Sequence, residues 1–144
     1  MIELYRPELA DEFMRLGKMM HRESSYRDIA FNEKKVAAIP LTPGVFCAMS
    51  VREGIYTGFF VGKIGAYYFS DECAAHDVAF YVDAEYRNGK SGIELIFAYE
   101  EWAKKQGVKS IYLSQSSGVQ IDRVDRLFDG LGYTRLGSNV KKGV

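Results

Sequence analysis

The stretch that decides the fold runs Val78-Ala79-Phe80-Tyr81-Val82-Asp83-Ala84-Glu85-Tyr86-Arg87-Asn88-Gly89-Lys90-Ser91-Gly92-Ile93-Glu94-Leu95. Its first five residues alternate as a strand does, and Asp83 to Gly89 reads as a loop. Ser91 to Gln106 then carries Ile93, Ile96, Tyr99 and Ala103 at helical spacing, with Leu95 and Trp102 beside them and Gly107 as the stop. A glycine-bearing turn between a strand's carboxyl end and a helix's amino end aims several unpaired backbone N–H groups at one point, where the helix dipole adds partial positive charge. Such a point favours a phosphate. Arg87 offers a planar fork and Lys90 a mobile point charge beside it, so a pyrophosphate is the natural guest. Alone, a Gly/Ser-rich turn of this kind is often no more than a tight connection.

Outward from that segment, Ile2 to Tyr5 reads as a strand, and Pro7 opens an amphipathic helix with Leu9, Phe13, Leu16, Met19 and Met20 inward. Asn32 is the N-cap of a second, short helix within Phe31 to Ile39. Val45 to Val51, Ile55 to Val61 and Ala66 to Phe69 are β-branched and aromatic, separated by Glu53-Gly54 and Gly62-Lys63, and predict antiparallel strands in a meander. Past the long helix, Ser110 to Leu113 reads as a strand and Ile121 to Leu131 as a helix with Val124, Leu127, Phe128 and Leu131 inward. The tail from Tyr133 is expected to add a final strand. The order β-α-α-β-β-β-β-α-β-α-β predicts one α+β domain over residues 1–144, with a mixed, mostly antiparallel sheet flanked by helices in three layers.

Composition narrows the function. The 144 residues carry 19 basic and 19 acidic side chains, so no global field draws nucleic acid. Cys47 and Cys73 lack CxxC spacing and read as buried thiols in a reducing setting. His21 and His76 stand far apart and neither is accompanied by a pair of cysteines, which predicts no metal. No apolar run reaches the roughly 20 residues of a membrane span, and a soluble, cytoplasmic protein is expected. Gly-x-Ser-x-Gly is absent, and no glycine stands five residues before Gly89, where a P-loop needs its first, which disfavours hydrolase and ATPase readings. The aromatic residues at Phe59, Phe60 and Tyr67 to Phe69 lie in strand-like runs without interleaved basic residues, so core packing or a homodimer face suits them better than base stacking.

The strand ending at Val82, then Tyr86-Arg87, two glycines and Ile93-x-Leu95, resembles the acetyl-CoA loop of the GNAT superfamily of N-acetyltransferases. The element order is similar too, and Leu127-Phe128-Asp129-Gly130-Leu131-Gly132-Tyr133 resembles the family's closing motif. The sequence departs from the family pattern at Lys90, where the first glycine after Arg87 is usual, although Gly89 precedes it and Gly92 fills the second place. Met20 to Ser24 bears a weaker similarity to small phage and prophage members.

The resemblance implies direct attack of a primary amine on the acetyl-CoA thioester, which needs a base, oxyanion donors and an acid for the thiolate. It places pyrophosphate on Arg87, Asn88, Gly89, Lys90, Ser91 and Gly92, and pantetheine along Phe80, Tyr81 and Val82, flanked by Ser114 and Gln115. The family's base often shares a strand face with the valine at pantetheine. Counting back in twos from Val82 puts His76 on that face and turns Asp77 away. Glu23, at the end of the first helix, is the carboxylate for a cationic acceptor. Phe128 stands where the family usually has its acid tyrosine, leaving Tyr133 or Tyr112 as substitutes. The departures at Lys90 and Phe128 keep a second reading open, a module of the same fold that binds CoA or assembles without catalysis.

Overall fold

The structure, a computed structural model, describes residues 1–144. Five strands form one sheet in the order β1-β2-β3-β4-β5: β1 Ile2–Leu4, β2 Val45–Arg52, β3 Ile55–Ala66, β4 Cys73–Val82 and β5 Ile111–Tyr112. All neighbours are antiparallel except β4 and β5. Helices α1 (Ala10–Glu23) and α2 (Glu33–Ala38) cover one face, and α3 (Ser91–Lys105) covers the other. A last helix, α4 (Ile121–Gly130), packs beside α3 at the open end of the sheet.

Two cores follow from the alternation of the strands. Cys47, Met49, Phe59, Val61 and Tyr81 point toward Leu9, Phe13 and Leu16 of α1. Phe46, Ala48, Phe60, Ala75 and Val82 point toward Leu95, Ile96, Tyr99 and Ala103 of α3. Asn32 caps α2 as expected, its side chain accepting from the Lys35 amide at 3.0 Å. Gly107 follows α3 with φ +78°, the left-handed conformation that glycine adopts without a Cβ penalty.

Three expectations are corrected. Gly62-Lys63 is no turn: β3 continues through it to Ala66, and Tyr67 to Ser70 forms the connection, so Ala66 to Phe69 is not a separate strand. The tail after Tyr133 forms no strand either. It runs along the outside of α4, where Arg135 pairs with Asp125 at 3.1 Å. Cys73, at the start of β4, is only half-buried, whereas Cys47 is buried, and its thiol pKa is pushed up to about 12 by desolvation. No helix is long and apolar enough to cross a membrane.

Candidate active site

β4 and β5 pair only at Ala75–Ile111 and His76–Tyr112. Beyond that point Asp77 takes over the edge: its carboxylate accepts from the Ser114 amide and hydroxyl, all at 3.0 Å, where a ladder bond would otherwise continue. The next residue, Val78, is bulged, since Val61 faces Ala79 while Gly62 faces Asp77. Bulge and side-chain clamp together let the two strands part. From Asp77 to Val82, one edge of β4 faces a cavity of about 260 Å³ instead of a strand.

The cavity's other walls are the Ser114–Gln120 loop, Arg123, Val124 and Leu127 of α4, Met20 of α1, and Arg87 to Gly89 with Gly92 and Ile93 at the start of α3. Here the amides of Asn88, Lys90, Ser91, Gly92 and Ile93 have no acceptor within the protein. A Cβ placed on Gly92 would meet the Phe80 ring at 3.5 Å, ordinary contact, so a methyl group fits at this edge of the cavity. The departure at Lys90 leaves the amino end of α3 intact, with Lys90 itself in helical conformation as the N-cap.

Some expected residues point elsewhere. Ser91 is buried, its hydroxyl 3.1 Å from Thr57 Oγ1, which in turn lies 2.8 Å from Ser50 Oγ. This chain of hydroxyls pins α3 to β2 and β3, so only the Ser91 amide faces the cavity end. Arg87 does not stand free beside the helix start. Its Nε donates to the Val82 carbonyl at 2.7 Å, a second nitrogen reaches Glu23 at 2.6 Å, and the guanidinium lies 5.4 Å from the Tyr81 ring centre. The Arg87 carbonyl accepts from Arg123, which ties the loop to α4.

Glu23 is taken as well: Tyr81 donates to it at 2.6 Å. Burial raises its pKa, but the hydrogen bonds from Tyr81 and Arg87 and the Arg87 charge outweigh that and hold it below the usual value. It is an anchored anion that links α1 to the loop, and a poor proton acceptor.

The bulge also inverts the count from Val82. A Cβ on Gly62 would meet the Tyr99 ring, so Gly62 and its partner Asp77 share the α3 face with Val82, while His76 and its partner Lys63 lie on the opposite face. His76 stacks on Tyr112 with ring centres 5.1 Å apart and is not part of the cavity wall. Asp77 is, and burial pushes its carboxyl pKa up against the lowering hydrogen bonds of Ser114.

Ser114 and Gln115 line the cavity, the latter with its amide donating to the Ile121 carbonyl at 3.0 Å. Phe80, Tyr81, Val82, Asn88 and Gly89 line it too. Phe128 instead packs into the α3 core, and Tyr133 donates to Glu100 at 2.8 Å, its phenol pKa raised by burial and by that carboxylate. Neither forms part of the wall. Sequence reasoning missed Met20, Arg123, Val124 and Leu127 as cavity residues. The apolar stripe of α4 was visible, but not that its floor is a gap in the sheet. No cluster of three or more His, Cys, Asp or Glu side chains is placed to hold a metal.

Comparison with known proteins agrees with this geometry. No curated protein matches the sequence. Among solved structures, an aminoglycoside acetyltransferase from an uncultured soil metagenomic sample, in complex with trehalose, superposes with a TM-score of 0.78 at 13% identity, covering 100% of this chain and 94% of its own. The aminoglycoside acetyltransferase AAC(6')-Iy, in complex with a CoA bisubstrate analogue, gives 0.78 at 14% identity over 100% and 97%. A ribosomal-protein-alanine N-acetyltransferase from Brucella melitensis biovar Abortus gives 0.76 at 14% over 99% of each chain. These likenesses establish the shared fold. Residues 7–132 match the acetyltransferase (GNAT) family, so the chain belongs to that family and is an acetyl-CoA-dependent N-acetyltransferase, transferring acetyl to an amine.

Proposed function

We propose that the pyrophosphate of acetyl-CoA sits on the free amides of Asn88, Lys90, Ser91, Gly92 and Ile93, with its pantetheine arm laid along the open edge of β4 from Val82 toward Asp77. The observation that carries this reading is the run of unpaired amides at the amino end of a 15-residue helix, opening into the only wide gap between neighbouring strands. An extended arm beside β4 meets unpaired strand edge, as an added strand would. The Ser114–Gln120 loop and the apolar side chains of α4 close the other side. Arg87 serves by holding the Val82 carbonyl and Glu23, not as a fork on phosphate.

The thioester then lies near the point where β4 and β5 part. Asp77 is the carboxylate at that point, oriented by Ser114, and we assign it the proton-accepting role in preference to His76 on the far face. Tyr133 keeps its proton for Glu100, so the departing thiolate takes one from water. The acceptor is a primary amine. The structural neighbours named above include enzymes of unlike acceptors, an aminoglycoside and a ribosomal-protein alanine, so their likeness singles out no acceptor class.

Calorimetric titration with acetyl-CoA, beside Gly92→Glu, tests the cofactor site. Micromolar binding, roughly −8 kcal/mol, is expected for the parent chain. The variant, whose carboxylate would occupy the free amides, should bind nothing while its thermal midpoint holds. Equal binding by both proteins would remove the amides of α3 from the site, and no binding by either would favour the module reading.

A further inference from the structure

The tail beyond α4 follows a defined course. Gly132, with φ +86°, and the Tyr133 amide, donating to the Phe128 carbonyl at 3.1 Å, end the helix. Arg135 then pairs with Asp125 at 3.1 Å and reaches Asp129 at 3.9 Å, one turn apart, which lays the chain back along α4 toward its start. Six residues later the Lys141 ammonium stands 5.6 Å from the centre of the Tyr26 ring. Six extended residues span at most roughly 20 Å, which sets the upper bound on the distance between these two anchor points.

Tyr26 belongs to the loop that follows α1. Its neighbour Ser25 donates its amide to the Ser117 carbonyl at 2.8 Å, and the Ser25 Cβ lies 3.6 Å from where Gly118 would carry one. Ser116, Ser117 and Val119 are cavity wall, as is Met20 in the last turns of α1. The loop that Lys141 contacts is therefore bonded directly to the wall of the acetyl-CoA cavity. A primary amine of the protein itself is thus held, on a short tether, against a loop bonded to that wall.

We propose that Lys141 is an acetyl acceptor of this chain's own active site, modified within the same molecule. The inference rests on the acetyl-CoA reading of the cavity given above. In the step, the neutral Lys141 Nζ attacks the thioester carbonyl carbon; the C–N bond forms, the C–S bond breaks, and its electron pair leaves on sulfur. The amine's proton goes to solvent or a nearby carboxylate, and the CoA thiolate takes one from water, so the products are Nε-acetyl-Lys141 and CoA with no change of redox state. Acetylation removes the positive charge that faces Tyr26, and with it the cation–π contact that holds the tail on this loop.

The full chain is incubated with acetyl-CoA and no other amine, then examined by intact mass and peptide mapping. A single acetyl group is expected, at Lys141 about tenfold above any other lysine because tethering raises the local amine concentration. The rate should be first order in protein, lost in Lys141→Arg and Gly92→Glu, and kept in Lys142→Arg. Even labelling of exposed lysines, labelling that survives Gly92→Glu, or a rate constant that climbs with protein concentration would each overturn the proposal. Calorimetry on the same samples separates the two readings: an unlabelled protein that binds acetyl-CoA sinks Lys141 alone, and one that binds none sinks the cavity assignment with it.

Discussion

Helices α3 and α4 both show an apolar stripe in sequence, yet α3 buries Ser91, Leu95, Ile96, Tyr99 and Ala103 while α4 fully buries nothing. The difference lies beneath them. α3 rests on the continuous centre of the sheet, where β2, β3 and β4 supply Phe46, Phe60, Ala75 and Val82. α4 covers the place where β4 and β5 have parted, so Val124 and Leu127 end at a cavity wall. An apolar stripe marks a face that avoids water, and either a core or a ligand can cover it. Paired truncations put the contrast to the test. Leu95→Ala should cost about 2–5 kcal/mol by denaturant unfolding and leave acetyl-CoA affinity per folded molecule unchanged. Leu127→Ala should cost about 1–2 kcal/mol and weaken acetyl-CoA instead. Equal losses of stability would make α4 a core helix and break the comparison.

Chemistry at the parting of the strands should respond just as locally. Asp77→Asn is nearly isosteric and keeps an acceptor for Ser114, so the fold should persist while turnover with an amine acceptor falls about 100-fold. In the parent protein the base works only when ionised. The rate therefore falls as pH drops through the Asp77 pKa, and desolvation places that acid limb above the ordinary aspartate range of about 3.9. The limb should vanish in Asp77→Asn and persist in His76→Ala. The reverse pattern, a limb lost with His76, would return the role to the imidazole.

What the sequence made legible follows from which signals are local. The short helix after Asn32, the end of α3 at Gly107 and the amino end of α3 at Ser91 each rest on side-chain and backbone chemistry within a few residues, and the structure contains all three. The face of His76 does not rest on anything local. Alternation counts in twos, and one unpaired residue at Val78 shifts everything before it to the other face without any mark in composition. The run Tyr67 to Phe69 misled for a related reason: aromatic residues favour strands, but here they sit at a hairpin tip, with Tyr68 and Phe69 exposed. Glu23 and Arg87, 64 residues apart, look in sequence like two separate binding groups because their pairing exists only in three dimensions.

Gly62 shows how tightly the continuous half is built against the open one. A Cβ there would fall 2.5 Å from the Tyr99 ring, opposite the bulge, so Gly62→Ala should cost about 1–3 kcal/mol through displacement of that ring. Gly92→Ala, with 3.5 Å to its nearest neighbour across the cavity, should be stable to within a few tenths of that scale. Thermal unfolding of the two variants side by side is the check, and a Gly62→Ala midpoint equal to that of Gly92→Ala would mean the sheet yields more easily than its packing implies.

The smallest expected effect separates the two halves within a single residue. The Ser91 hydroxyl belongs to the sheet, bonded to Thr57, whereas its amide belongs to the cavity end of α3. Removing the hydroxyl in Ser91→Ala leaves Thr57 its partner Ser50, so the loss should be about 1 kcal/mol of stability. Acetyl-CoA affinity should stay within about twofold, because the proposed phosphate ligands are backbone N–H groups that alanine retains. Calorimetry and unfolding on that one variant would measure both. Lost binding with stability intact would mean that the hydroxyl turns to phosphate, and the Ser50–Thr57–Ser91 chain would no longer explain how α3 is held on the sheet.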